Sequence, residues 1–319
     1  MLKKQIKPFL TYTEQLAKLT EEKKLLITDP VHAQNTLTNI SYYALIGGYK
    51  QLFYNPMTRQ YRPGTTFDDL IQLYYFDESL RALFFKYLCH IEQKMRSLIS
   101  YHFSKTYSHM EKDYLNAANY NNSRKNSANI QRLIQMLTIE AHSNTNHPYV
   151  VYQRNTYRNV PLWVMMNTLT FGQLSKMYFF LKTSVQAKIS IHFNGVNEKE
   201  LGQYLKALTY YRNVCAHNER FYSFRCPFRC RVDMPDTILH RKLGIPRKGN
   251  QYILGKSDLF SVVIAFRYLL PRSEFIDFKK QLVKLISSVL IHSHTLTEPV
   301  LLNAMGFPEN WRSITRYKL

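Results

Sequence analysis

An all-α fold is what this sequence predicts, and three observations predict it. Apolar residues recur at helical spacing over long stretches, above all between positions 67 and 107. N-cap signatures with a glutamate three residues on stand at the head of such stretches, as at Thr11/Glu14 and Asn197/Glu200. Only 10 Gly and 12 Pro occur in 319 residues, too few for a turn-dense β protein. A chain of this length with 45% hydrophobic residues buries a true core, which excludes a mainly disordered protein.

In order along the chain, Thr11 and Glu14 open a helix predicted through about Ile27. A second helical stretch, about Val31 to Leu45, ends at Gly47-Gly48, which suits a C-cap. Asn55-Pro56 and Pro63-Gly64 mark turns. A long helix follows from about Phe67 to Tyr107, with Phe67, Ile71, Leu80, Phe84, Leu88, Ile91 and Met95 on its apolar face. Asp68 and Asp69 sit in its first turn, where the helix dipole favours acids. Glu92 and Arg96 stand four apart, in the orientation that suits an ion pair. The Asn-rich stretch 116–129 reads as a loop. A short helix at about Ile130–His142 comes next, then an aromatic and basic loop through Asn159. Pro161 opens a helical region that Gly172 breaks before Gln173–Leu181, and the helix after Asn197 runs to about Ala216. Residues 223–250 have no clean period and form a basic strap. Helices at about Ser257–Leu270 and Arg272–His292 close the fold before a short tail. The resulting division is an N-terminal helical region (1–60), a helical core with a basic loop (61–250) and a C-terminal helical region (251–319).

Charge is the first clue to function. With 43 Lys+Arg against 22 Asp+Glu the chain carries +21, and its pI is near 9.7. A surplus of this size creates a long-range positive field, and nucleic acid is the usual partner, through counterion release. A solvated basic surface and anionic membranes are the alternatives. No secretory signal or membrane span is read: residues 1–10 hold three Lys, and the most apolar run, 259–270, is short and contains Arg267. Four Cys do not suggest a disulfide scaffold, so a reducing cytoplasm is the expected setting. No cofactor is expected.

The helix after Asn197 carries an apolar stripe of Leu201, Leu205, Leu208 and Cys215, and the position on it between Leu208 and Cys215 is Arg212. A core-facing arginine implies a buried acid, an interface or an anionic ligand. His217 follows five residues later, about 140° round an ideal helix, so the two side chains line one cleft only if the arginine bends or a second copy supplies the other half. The structural alternative is an Arg212 held in a core ion pair and a His217 that merely favours the helix dipole. Arg96 and His102 form a second, looser pair on the long helix, better read as supporting or RNA-holding. Cys215, His217, Cys226 and Cys230 allow a zinc reading, in which His217 is a ligand. Tyr149, Tyr152, Arg154, Tyr157 and Arg158 mix rings and cations as single-strand RNA grooves do.

The string Arg212-Asn213-Val214-Cys215-Ala216-His217 has the Arg-x4-His spacing of the HEPN ribonuclease superfamily, whose members are helical bundles. Around it, Lys7-Pro8-Phe9-Leu10-Thr11-Tyr12, Ile40-Ser41-Tyr42-Tyr43 and Gly64-Thr65-Thr66-Phe67 resemble the opening of the Abi-like abortive-infection family. So do Leu73-Tyr74-Tyr75-Phe76-Asp77 with Leu80-Arg81, Ile91-Glu92 with Arg96, Pro161-Leu162-Trp163, and Phe171-Gly172-Gln173-Leu174-Ser175. Arg212 to Asn218 with Arg220 resembles its most characteristic stretch, and the matches run in order over about residues 7–222.

The resemblance, to the AbiD/AbiF type, implies a HEPN-like bundle and a metal-independent endoribonuclease of phage defence or toxin–antitoxin type. It also implies a homodimer and a silencing partner such as a small RNA antitoxin. It makes Arg212, Asn213 and His217 catalytic. The RNA-binding residues expected around them are Arg96, His102, Arg220, Arg225, Arg229 and Arg231. RNA carries its own nucleophile, the 2′-OH, so such an enzyme needs proton transfer and charge stabilisation. Imidazole supplies the first and a permanently charged guanidinium the second. A non-catalytic RNA-binding module shares the charge and the rings and needs no His217.

Overall fold

The computed structural model describes residues 8–227, 230, 232 and 234–319. Helix accounts for 66% of the chain. Among the described residues the named strands are two antiparallel hairpins of two-residue strands, so the all-α expectation holds.

α1 (Tyr12–Ala17) opens on the Thr11/Glu14 capping box and passes into a π-helical turn at Lys18–Glu22. α2 (Pro30–Ile40) is capped by Asp29 and stops at Ser41, whose φ of +66° leaves the helical region. The stretch read as one helix to Leu45 is therefore two pieces, the second a π-helical turn at Tyr43–Gly47. The hairpin of β1 (Tyr54–Asn55) and β2 (Gln60–Tyr61) follows.

α3 (Phe67–Thr106) is the axis of the molecule. Its 40 residues span about 60 Å at about 1.5 Å each. Thr66 caps it in a reciprocal box with Asp69, whose carboxylate also accepts from the Ser293 hydroxyl and so ties the helix start to the C-terminal region.

α4 (Glu111–Tyr114) and α5 (Ser127–His142) come next. The loop expected after His142 is instead a helix, α6 (Pro148–Tyr157). Pro148 occupies its first turn, where a missing N–H costs nothing, and Arg158 ends it with φ +51°. Only Val150 of this helix is buried, so no apolar period announces it. α7 (Leu162–Met165) precedes α8 (Phe171–Phe180). Gly172 does not break α8, because Thr170 caps the helix in a box with Gln173 and the glycine lies inside it. A Cβ there would sit 3.3 Å from Thr209 Cγ2, so Gly172 lets two helices approach closely.

α9 (Thr183–Ser190) leads into α10 (Glu198–Ala216). The basic strap is more ordered than expected. It contains α11 (Ile238–Lys242) and the hairpin of β3 (Arg247–Lys248) and β4 (Gln251–Tyr252). α12 (Leu259–Leu269) is buried on every side except at Arg267. α13 (Arg272–His292) lies along α3, and α14 (Glu298–Met305) with a 3-10 segment at Trp311–Arg316 completes the chain. One hydrophobic cluster runs from Leu16 to Ile314. α10 packs on α3, α8 and α9, which sets its C-terminal end beside the middle of α3. Among the described residues no helix is long and apolar enough to cross a membrane.

Candidate active site

The site is built on two helices, α3 and α10. Asn197 starts α10 by accepting from Glu200 N–H while the Glu200 carboxylate accepts from Asn197 N–H. Leu201, Tyr204, Leu205, Leu208, Tyr211 and Val214 are buried, and this face presses the helix onto the core. Arg212 stands at the edge of that face with its side chain 27% exposed.

Its acid is Glu92 of α3, which is 7% exposed at the side chain. Glu92 Oε2 lies 3.8 Å from Arg212 Nε, and Glu92 Oε1 accepts from Arg96 Nη2 at 2.5 Å. Two guanidinium groups thus share one carboxylate, which leaves one positive charge in surplus. The Arg212 guanidinium also lies over the Phe85 ring, 5.6 Å from its centroid. The Nε atoms of both Arg96 and Arg212 are buried without a hydrogen-bond partner. Buried donors in that state cost stability. Of the three partners open to Arg212 in the sequence, the buried acid is present as Glu92, which is the ion pair of the structural alternative, and the surplus charge suits an anion as well.

α10 ends on a Schellman motif. Glu219 N–H donates to Val214 C=O at 3.1 Å and Asn218 N–H to Cys215 C=O at 3.3 Å, with Asn218 at φ +54°. His217 is the C-cap. It is exposed, and among the described residues its imidazole makes no hydrogen bond or ion pair. Asn213 is exposed on the preceding turn, and its C=O accepts from His217 N–H at 2.9 Å. An unengaged imidazole, an amide and a half-buried guanidinium thus share the last turn of one helix.

The chain beyond the motif is clamped by Asp77 of α3. This fully buried carboxylate accepts from Arg81, from the Tyr49 hydroxyl and from the backbone N–H groups of Phe221 and Tyr222. Arg81 in turn donates to Glu219 C=O. The segment two to five residues after His217 is therefore fixed to the same helix that carries Glu92.

Of the other residues singled out in the sequence, Arg96 meets this cluster and the remaining described ones are engaged elsewhere. Arg96 joins the site through Glu92 and also donates to Leu169 C=O. His102 is buried, with its Nε2 2.9 Å from Nε2 of His192, so one ring donates and the other accepts. Arg220 donates to Gly48 C=O. Arg225 lies 3.4 Å from Asp258, a carboxyl that burial pushes up to about 6. Arg229 and Arg231 lie outside the described residues. Cys215, His217, Cys226 and Cys230 do not converge. Among the described residues no group of three or more His, Cys, Asp or Glu is placed to hold a metal. Burial pushes the Cys215 and Cys226 thiols up to about 12, so neither is a thiolate at neutral pH.

A model of one family, described as Abi-like protein, matches residues 35–223, which is more than half of the chain and includes both α3 and the end of α10. The chain belongs to the Abi-like protein family. No curated protein and no solved structure matches it. The matched segment of this Abi-like protein holds Asp77, Glu92, Arg96, Arg212 and His217, the residues that form the clamp and the shared-carboxylate cluster.

Sequence reasoning paired Glu92 with Arg96 but did not link it to Arg212, because the partners are 120 residues apart and no local period joins them. It reads Asn218 only as part of the family-like stretch and not as the end of α10. An asparagine just past the last periodic residue is a helix-end signal of the same kind as glycine.

The His102–His192 pair carries a pH prediction. Burial first, then His192, Lys105 and Lys188, holds the His102 pKa below the ordinary histidine value. The unfolded chain then binds the extra proton first, so this group's contribution to stability is present above about pH 6.5 and is lost as the pH falls below it. His240, also held low by burial, acts in the same direction. Urea unfolding at pH 7 and pH 5 is expected to show a smaller acid loss for His102→Gln than for the native chain.

Proposed function

We propose that this Abi-like protein is an endoribonuclease of abortive infection whose site is assembled from Arg212, Asn213 and His217 and completed by a second copy of the chain. The carrying observation is the pairing, at one helix end, of an exposed and unengaged His217 with a partly exposed Arg212 that shares the Glu92 carboxylate with Arg96. His217 takes the proton of the ribose 2′-OH as the 2′ oxygen attacks phosphorus. The P–O5′ bond then breaks, the 5′ oxygen leaves with a proton, and the products are a 2′,3′-cyclic phosphate and a 5′-OH. Arg212 stabilises the charge that builds on the phosphoryl oxygens, with its fork held by Glu92 and Phe85. Asn213 hydrogen-bonds a phosphate oxygen. A single chain supplies one such histidine, and base and acid roles in one turnover call for two. A two-fold pairing of α10 ends supplies the second.

The reaction makes no demand on a metal, because the nucleophile belongs to the substrate. The net charge of +21 draws RNA to the surface, and Arg96, on the shared Glu92 carboxylate, adds to the basic field at the site.

The test is cleavage of a defined RNA by the purified chain in EDTA, with analysis of product ends and of mass in solution. A dimer that yields 2′,3′-cyclic phosphate ends is the expected result. Salt-dependent RNA binding without cleavage establishes the non-catalytic RNA-binding reading in its place.

A further inference from the structure

A second basic site lies where α3, the end of α12 and the start of α13 meet. A half-open cavity of about 610 Å³ is lined by Lys94, Arg267, Arg272, Arg316 and Lys318. Lys94 follows Glu92 by two residues, so it points about 200° away from it around the helix. The cavity shares no lining residue with the Arg212 cluster. No acidic side chain lines the cavity among the described residues. Glu274, the acid nearest in charge to Lys94, is held by His90 at 2.7 Å.

Arg272, Arg316 and Lys318 are exposed at the rim, and Arg267 is anchored in the wall. Arg267 is the one charged residue of α12, a helix otherwise buried throughout. Its Nη2 donates to Tyr317 C=O, its guanidinium stands over the Phe275 ring, and its Nε is buried with no hydrogen-bond partner. Burial and then Arg272 hold its pKa down, and burial with Arg316 and Arg312 does the same to Lys279 nearby. Like charges crowded this way oppose folding unless an anion joins them. α13 begins at the rim. Its N-cap is Pro271, which offers no side-chain cap, so the first N–H groups of a 21-residue helix lack the usual partner. Phe193 and Tyr317 add rings to the wall. The volume lies in the usual range for small-ligand sites, about 300–1,000 Å³.

We infer that this cavity is a binding site for a ligand of nucleotide size that carries two or more phosphates, separate from the Arg212–His217 site. The phosphates take Arg267, Arg272, Arg316 and the N-terminus of α13, and the rings receive the base. That chemistry is shared by a free nucleoside triphosphate and by the triphosphorylated 5′ end of an RNA strand.

The experiment is a titration of the purified full chain with a fluorescent nucleoside triphosphate. Two double variants accompany it, Arg272→Ala with Arg316→Ala at the cavity and Arg241→Ala with Lys242→Ala elsewhere. All four residues are exposed, so the fold is kept. Saturable binding that weakens tenfold or more in the first pair and stays intact in the second is expected. Displacement by unlabelled triphosphate alone assigns a small molecule. Displacement by a 5′-triphosphorylated oligonucleotide but not by its 5′-hydroxyl counterpart assigns a strand end. No saturable binding, or equal loss in both pairs, overturns the site. Its failure leaves the nuclease reading untouched, because neither pair includes Arg212 or His217.

Discussion

His217→Ala is expected to lower RNA cleavage by about 10²–10⁴-fold, the usual worth of a positioned general acid or base. The fold should not notice. His217 is exposed, and its role as C-cap rests on backbone bonds that alanine also makes. A surface change of this kind stays within about 0.5 kcal/mol. Circular dichroism and urea unfolding of the variant should therefore match the native chain while cleavage in EDTA disappears. Arg212→Lys sharpens the reading. Lysine keeps the charge and loses the planar fork, so a phosphate that is gripped by two donors is released while long-range attraction of RNA is retained. Cleavage should fall with RNA binding little changed. Equal loss of binding and cleavage would mean that Arg212 acts only as bulk charge. Full cleavage by folded His217→Ala removes the imidazole from the chemistry altogether.

What the sequence made legible was whatever is encoded locally. The Thr11 and Asn197 caps, the apolar period of α3 and the position of Arg212 beside a buried face all lie within a few residues of the structure they specify. α6 was hidden because its single buried residue, Val150, creates no period, although Pro148 at its start was a usable signal. Gly172 misled because its meaning is tertiary. It is there for the neighbouring Thr209, and a glycine read alone looks like a break. The same holds at the site. Glu92 with Arg96 spans one helical turn and could be read, whereas Glu92 with Arg212 and Asp77 with the chain at 221–222 join distant segments. No periodicity carries such a pairing, because it depends on which helices pack and at what offset.

Asp77 is where the largest loss of stability is expected. Its carboxylate is fully buried and accepts from Arg81 Nη1 at 2.8 Å, Tyr49 Oη at 2.8 Å, Phe221 N at 2.9 Å and Tyr222 N at 2.5 Å. Asp77→Ala leaves the Arg81 guanidinium, itself 4% exposed, without its counter-charge, and strands three further donors. Removing one partner of a buried ion pair costs about 3–5 kcal/mol, a large share of a net stability of about 5–15 kcal/mol. Denaturant unfolding of Asp77→Ala should show that loss. The double variant Asp77→Ala with Arg81→Ala should recover part of it, since the orphaned charge goes as well. Recovery stays incomplete because Tyr49 and the two backbone N–H groups remain unpaired. The same node decides where His217 sits. Glu219 C=O accepts from Arg81, and Phe221 and Tyr222 donate to Asp77, so the chain leaving α10 is held at three points within five residues of the imidazole. An Asp77 variant that is still folded at low temperature should therefore cleave RNA poorly with His217 and Arg212 both intact. Native cleavage by such a variant would show that the Schellman motif at Asn218 is enough by itself to position the histidine.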